Sequence, residues 1–403
     1  MARPPAFAYK AGMEHDDWSL LETVARATRL REGPDGVAAV LRAVYRAGSL
    51  RLQDAAREAR LPLPVTTAIR RELEKAGMLE RKHGLSLTAA GRGFVESALG
   101  LGATHEVACP ACGGRGIVVP TALQPAVERL AAIIAAAPST DVTLDQCPCT
   151  PETAILRALL MLERGALEGK RVLVLGDDDS LSIAIGLVGG ALRKADVTRG
   201  VTVIESDPRR VVFLRDAAAG EGIAVDVVQH DLREPLPADF ARSFDVVATD
   251  PPYTLAGATL FLSRGAEALA GDGACYFSFT QWSAARLLEL QRIILDLGFA
   301  IRAVHPGFNR YVGASVLGGV GDLFELAQVR TPDAVLPGWN APLYTAEVNP
   351  RMRVYVCAAC GTEITLGEDG APATIEALKE AGCPRCGEKT FRRRAGETSS
   401  GAA

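Results

Sequence analysis

The chain has 403 residues, a formal charge of −4 and 48% hydrophobic residues, the balance of a folded globular protein with room for more than one domain. No apolar run approaches the ~20 residues of a membrane-spanning helix, and the first twenty residues lack an export-signal core, so a cytoplasmic setting is expected. Net acidity argues against a protein whose main task is gripping nucleic-acid phosphates.

Residues 1–18 read as a tail. From Ser19 to Leu101 the pattern is helical and then turns into a hairpin. Helices are expected over Val37–Tyr45, Leu52–Ala59 and Val65–Ala76, followed by Gly77-Met-Leu-Glu-Arg-Lys-His-Gly-Leu-Ser-Leu87 and Thr88-Ala-Ala-Gly-Arg92. This order resembles a winged helix-turn-helix over residues 19–102. A DNA-binding version would use Arg70, Arg71, Lys75, Arg81 and Lys82 on phosphates. Glu72 and Glu74 dilute that face, which favours a dimerisation or substrate-covering module and makes a homodimer the expected assembly.

Residues 103–150 carry Cys109-Pro-Ala-Cys112 and Cys147-Pro-Cys149, separated by a helix over Pro125–Ala137. Close cysteine pairs in a chain without an export signal point to metal rather than disulfides. Four thiolates at this spacing are expected to close one structural zinc site. Cys357-Ala-Ala-Cys360 and Cys383-Pro-Arg-Cys386 give a second set, at the spacing of a zinc ribbon over residues 351–393. Cys275 lies in an apolar strand and reads as core.

Between these cysteine stretches, residues 151–332 alternate strands and helices. Thr150 and Pro151 open a helix as N-cap and first-turn proline. Strands then follow at Val172–Leu175, Val201–Glu205, Val225–His230, Val246–Thr249, Ala274–Thr280, Phe299–Val304 and Leu323–Val329, with helices between. The pattern predicts an α/β fold with a parallel sheet covered on both faces. Its last pair, joined through the glycine-rich Gly313–Gly321, fits the antiparallel end of a class I methyltransferase-like, Rossmann-like sheet.

The chemistry gathers at strand ends, where ligands of such sheets lie. Gly176-Asp177-Asp178-Asp179 follows the first strand, and no lysine or arginine falls between Arg171 and Arg193. One carboxylate suffices to cap the next helix; the others suit a cationic ligand. Glu205 ends the second strand, where an acid holds ribose hydroxyls. Asp231 follows the third and is placed to accept from an adenine amino group. Asp250-Pro251-Pro252-Tyr253 follows the fourth. There a carboxylate and a proline carbonyl accept hydrogen bonds from a target amine and aim its lone pair, while the aromatic ring walls a cationic site.

Gly-Asp-Asp-Asp replaces the glycine-rich loop of ordinary methyltransferases. Together with "GDDDSLSIAIGL", "HDLREPLP", "FDVVATDPP" and "TPETAILRALLMLERGALEGK", it resembles the branched-chain polyamine synthase family over about residues 19–335. The resemblance implies aminopropyl transfer from decarboxylated S-adenosylmethionine to the inner amine of spermidine. It implies donor contacts at Gly176, Glu205, Asp231 and Pro251, and acceptor contacts at Asp177, Asp179, Pro252 and Tyr253. Asp177, Asp178, Asp179 and Asp250 are the candidate catalytic acids. Three aspartates would repel the carboxylate of an ordinary methyl donor and attract a donor that keeps only an ammonium. A nucleic-acid base N-methyltransferase is the alternative that the Asp-Pro-Pro-Tyr motif and the accessory modules also suit.

Overall fold

The computed structural model describes residues 15–30, 32–81, 84–101, 109, 111–192, 197–312, 319–330, 336–348, 353–366, 372 and 375–393. The expectations for the tail up to residue 14, for Lys82 and for most of the glycine-rich connection lie outside these residues.

The N-terminal part contains α1 (His15–Ala27), α2 (Gly33–Ala47), β1 (Ser49–Leu50), α3 (Leu52–Glu58), α4 (Leu63–Lys75), β2 (Leu79–Arg81), β3 (Leu85–Leu87) and α5 (Ala89–Ser97). The three short strands form an antiparallel sheet in the order β1-β3-β2. One core joins the helices to this sheet, with Val37, Leu41, Val44, Ile69, Leu73 and Val95 fully enclosed. Thr88 caps α5 by accepting the Gly91 N–H, so Thr88–Arg92, the stretch after the hairpin, opens a helix. Three of the basic residues expected at phosphates are engaged within this part: Arg70 of α4 is buried and pairs with Glu74, Lys75 of α4 pairs with Glu72, and Arg81 of β2 reaches Glu74.

Next come α6 (Gln124–Ile134), α7 (Pro151–Glu163), β4 (Arg171–Leu175), α8 (Leu181–Ala191), β5 (Gly200–Glu205), α9 (Pro208–Glu221), β6 (Val225–Gln229), β7 (Phe244–Thr249), α10 (Leu255–Ala268), β8 (Leu269–Thr280), α11 (Ala284–Asp296), β9 (Phe299–Arg310) and β10 (Val320–Gln328). Seven strands form one sheet in the order β6-β5-β4-β7-β8-β10-β9. β10 runs antiparallel to both neighbours, and the first five strands are mutually parallel. β4, at the centre, is buried from Val172 to Leu175, as a strand with helices on both faces must be. The sheet therefore carries its chemistry beyond the carboxyl ends of β4, β5 and β7.

β9 runs six residues beyond the expected end at Val304. Its pairing with β10 shifts register between Leu323–His305 and Gly321–Asn309. A β-bulge absorbs Pro306 and Gly307 there, the latter with φ +65°. The proline-glycine pair bends the strand without ending it, and this carries Asn309 and Tyr311 to the strand ends.

By contact, the chain divides into two compact units, coarser than the four expected domains. Residues 1–140, 147–251 and 258–339 form one; residues 141–146, 252–257 and 340–403 form the other. In the second, Thr254 Oγ1 donates to the Leu343 carbonyl at 2.7 Å, and the Thr345 N–H donates to Asp145 at 2.6 Å. It contains α12 (Thr345–Val348), β11 (Arg353–Cys357), β12 (Glu363–Leu366), α13 (Ile375–Ala381) and β13 (Phe391–Arg393), with a sheet in the order β12-β11-β13. Its small core is Cys357, Ile364, Leu366, Leu378 and Cys383.

No helix among the described residues is long and apolar enough to cross a membrane. Arg264 on α10 is fully buried and fastens the first unit: it donates to the carbonyls of Leu232 (3.0 Å), Leu336 (2.6 Å) and Pro337 (2.8 Å). Arg264→Met deprives these acceptors of their donor. It is expected to lower unfolding stability by about 2–4 kcal/mol, read as a shift in the urea midpoint; an unchanged midpoint would deny the tether.

Candidate active site

Three strand-end turns converge. Gly176 leaves β4 with φ +69°, a backbone turn suited to glycine, and sends the three aspartates in different directions. Asp177, 1% exposed, turns under α8: it accepts the Leu181 N–H at 2.6 Å and the Ser182 N–H at 3.2 Å, and also bonds the Ser182 hydroxyl. The formal N-cap, Ser180, is left-handed and makes no capping bond, so Asp177 takes over the helix's orphan donors. Burial pushes its carboxyl up to about 7, against the pull of these hydrogen bonds.

Asp179, also buried, forms an ion pair with Arg157 and accepts the Cys149 N–H. Asp178 is half-buried and accepts the Cys147 N–H at 2.8 Å. Burial, then repulsion by Asp179 and Asp250, raises its carboxyl well above the usual range; Arg210 opposes this.

Asp250 stands at the end of β7. Its Oδ2 accepts from Arg157 Nη2 at 2.8 Å and from the Tyr311 hydroxyl at 2.7 Å, whereas its buried Oδ1 has no partner among the described residues. Burial lifts Asp250 to about 6; Arg157 pulls the other way and Asp179 adds to the rise. Arg157 comes from α7, is 4% exposed, and is oriented from behind by Asn309, whose side-chain oxygen accepts its Nε–H at 2.8 Å. Burial opposes its charge, but Asp179 and the surrounding groups hold it firmly protonated. Arg157, Gly176, Asp177, Asp179 and Asp250 line one pocket with apolar walls from Leu181 and Leu323.

The stretch between Arg171 and Arg193 holds no basic residue, yet guanidiniums from elsewhere in the chain reach its aspartates. Arg157 arrives from upstream of β4 to pair with Asp179 and Asp250, and Arg210 from α9 lies near enough to Asp178 to oppose its upward shift, while Asp177 and Glu205 add two further acids. Five acids against two bases still leave an acidic centre. Arg157 lies within the quoted stretch that opens at Thr150 but was not singled out there, and Asn309 and Tyr311 lie in no quoted motif; all three were missed.

Glu205 is 5% exposed and accepts the N–H groups of Asp177 (3.0 Å) and Asp207 (2.9 Å), which fixes its carboxylate at the end of β5. Asp207 caps α9 through the Arg209 N–H. Asp231 is exposed and accepts the Arg233 N–H at 2.9 Å. Pro251 and Pro252 are buried and Tyr253 half-buried. The Pro252 carbonyl accepts the Thr254 N–H at 2.7 Å, and a Cβ on Gly257 would sit 2.3 Å from that oxygen. Glycine is needed there.

The linker zinc site is also corrected. Among the described residues, the only gathering of three or more potential metal ligands is Cys357, Cys360, Cys383 and Cys386, whose sulfurs lie within 4.8 Å of one another. Cys147 and Cys149 instead serve Asp178 and Asp179 through their backbone N–H groups, and Cys149 is buried beside Arg157. Their thiols do not join Cys109 and Cys112. The second set fits zinc: the Cys357–Cys386 and Cys360–Cys383 separations of 3.5 and 3.6 Å approach the ~3.8 Å of thiolates on one tetrahedral ion.

A seven-stranded sheet in this order, with acids closing its first, second and fourth strands, defines a class I methyltransferase-like domain with an acidic ligand end. A sequence profile described as the branched-chain polyamine synthase A C-terminal domain matches residues 125–335. An N(4)-bis(aminopropyl)spermidine synthase of Thermus thermophilus is 37% identical over 297 residues, 72% of this chain and 80% of its own. An uncharacterized protein of Methanocaldococcus jannaschii is 34% identical over 374 residues, 93% of this chain and 92% of its own. The crystal structure of the Thermus thermophilus branched-chain polyamine synthase, in complex with N4-aminopropylspermidine and 5'-methylthioadenosine, matches with a TM-score of 0.65 at 31% identity, covering 83% of this chain and 99% of that one. The chain belongs to the branched-chain polyamine synthase family.

The upward shifts of Asp177 and Asp250 mean that the native state binds extra protons between the unfolded carboxylate range and about pH 7. Their contribution to stability therefore falls as pH rises through that window. Arg157→Met removes the counter-charge and is expected to cost about 3–5 kcal/mol near pH 8. The loss should shrink toward pH 5 as the orphaned carboxylates take up protons. Urea unfolding at the two pH values tests it; a pH-independent cost would point to lost packing alone.

Proposed function

We infer that this chain is an aminopropyltransferase, moving aminopropyl groups from decarboxylated S-adenosylmethionine to the inner amine of spermidine to make N(4)-branched polyamines and methylthioadenosine. Family membership and the synthases it resembles support the reaction class. The observation that carries the chemistry is Asp250: one oxygen is clamped by Arg157 and Tyr311 while the other, buried Oδ1, is unpartnered among the described residues. A buried acceptor without a donor is costly, and an amine N–H satisfies it.

In the transfer, the amine lone pair attacks the carbon bonded to the sulfonium. A C–N bond forms, the C–S bond breaks, and its electron pair remains on sulfur as the thioether of methylthioadenosine. Spermidine's inner amine is protonated at neutral pH and must shed that proton before it attacks; the N–H it keeps becomes acidic as the new bond forms. Ionised Asp250 or Asp178 accepts. A second transfer, onto a tertiary amine, has no N–H left once the nitrogen is neutral, and the acids then act through charge and position.

Asp177 and Asp179 are committed to α8 and to Arg157, so they shape the pocket's potential more than they touch substrate. Asp178 and Asp250 face the ammonium groups. Glu205 takes the ribose hydroxyls, Asp231 the adenine amino group, and Gly176 and Pro251 the remaining nucleoside contacts. Pro252 and Tyr253 wall the acceptor. The N-terminal helices and hairpin act as a winged-helix dimerisation module in a cytoplasmic homodimer, and Cys357, Cys360, Cys383 and Cys386 hold one structural zinc as a ribbon. Zinc there cross-links two turns of a module too small to rely on its apolar core.

Asp250 must be ionised to accept, so kcat/KM is expected to rise with pH through about 6. The Tyr311 hydrogen bond favours the ionised form. Tyr311→Phe therefore moves that limb to higher pH, and an unmoved limb would assign it to another group. Asp178→Asn and Asp250→Asn should each lower turnover by about 10²-fold or more; near-parent turnover of either removes its assigned role. Calorimetry separates this reaction from base N-methylation. Decarboxylated S-adenosylmethionine should bind more tightly than S-adenosylmethionine, and the reverse order would sink the aminopropyl reading.

A further inference from the structure

Three stretches of this chain share the pattern Cys-x-x-Cys-Gly: Cys109–Gly113, Cys357–Gly361 and Cys383–Gly387. All three fold alike. The glycine is left-handed in each, with φ of +55°, +71° and +75°. Its N–H returns to the carbonyl of the first cysteine, at 2.9, 3.1 and 2.8 Å. In each, the sulfur of the second cysteine accepts the backbone N–H two residues on: Gly114 onto Cys112, Thr362 onto Cys360 and Glu388 onto Cys386. Turns of this shape hold two sulfurs on one side and direct N–H groups at them, which stabilises thiolate and orients it for metal. Two of the turns face one another and make the four-sulfur cluster. The third has the same geometry, an exposed Cys109 beside Cys112, and no further metal-ligating side chain among the described residues to complete a group of three.

We propose that Cys109 and Cys112 are half of a second zinc site, completed by the same turn of a second copy of the chain. Zinc takes four ligands in structural sites, and two identical turns across a two-fold axis supply four thiolates, the donor set the other two turns assemble within one chain. The site would also fix the catalytic pocket. Arg115, in the same turn, donates to the Cys112 carbonyl at 3.3 Å and to Glu152 at 2.8 Å. Glu152 lies in the first turn of α7, the helix that presents Arg157.

Zinc content of the full-length protein, measured by elemental mass spectrometry with the assembly state by light scattering, tests this. The parent dimer is expected to hold three zinc ions, and Cys109→Ser/Cys112→Ser one fewer with the ribbon zincs retained. Two ions in both proteins, or four in the parent, would overturn the shared site. Alkylation of the unmutated protein gives an independent reading: Cys109 and Cys112 should be protected until a chelator is added. Protection relieved by reductant instead, or immediate labelling, would equally overturn it.

Discussion

A single buried guanidinium governs the catalytic end of the sheet. Arg157 binds Asp179 on the β4 turn and Asp250 at the end of β7, with Asn309 and Tyr311 from the far edge of the sheet closing around it. Carboxylates this close cannot all ionise without a counter-charge, and an unpaired charge at this depth would be several kcal/mol unfavourable. One cation on α7 therefore lets two strand-end turns carry their acids into a shared pocket. Because it occupies only Oδ2 of Asp250, it also leaves that residue one defined direction in which to accept.

The acidity of the site is consequently graded. Asp177 is spent on the helix it caps and Asp179 on the ion pair; burial holds Asp177, Asp178 and Asp250 above their ordinary range, and of these Asp178 and Asp250 are the ones not committed to a helix. A carboxylate poised near neutrality, as Asp250 is at about 6, suits proton acceptance better than a strongly ionised one, while the excess of acids over bases keeps the potential favourable to a polycation. Burial and arrangement, more than the number of aspartates, set the chemistry.

Much of this was legible in the sequence. Alternating apolar strands and helices announced the α/β sheet, and the acids at the ends of β4, β5 and β7 stand out because little else polar follows those strands. The strand order, with its antiparallel last pair, agrees with that expectation. What stayed hidden has physical reasons. Arg157 sits in an amphipathic-looking helix, where an arginine ordinarily marks a solvent face, and only packing against β9 shows that it is buried. Asn309 and Tyr311 lie beyond Pro306-Gly307, a pair that normally ends a strand and here sits in a bulge. Cysteine spacing correctly marked Cys357, Cys360, Cys383 and Cys386 as a cluster, yet misled for Cys147 and Cys149, since spacing cannot tell whether a thiol or its backbone amide is the useful group.

The strap formed by Cys147, Pro148 and Cys149 grips Asp178 and Asp179 through main-chain amides. Such a grip is blind to side-chain identity: any residue with an N–H holds Asp178 from position 147, and any small one holds Asp179 from the tighter position 149. Proline alone is barred from both by chemistry, because it has no proton to give. This part of the acid cluster is therefore sheltered from mutational drift, and descendants of this sequence can shed both sulfurs while their aspartates stay where they are.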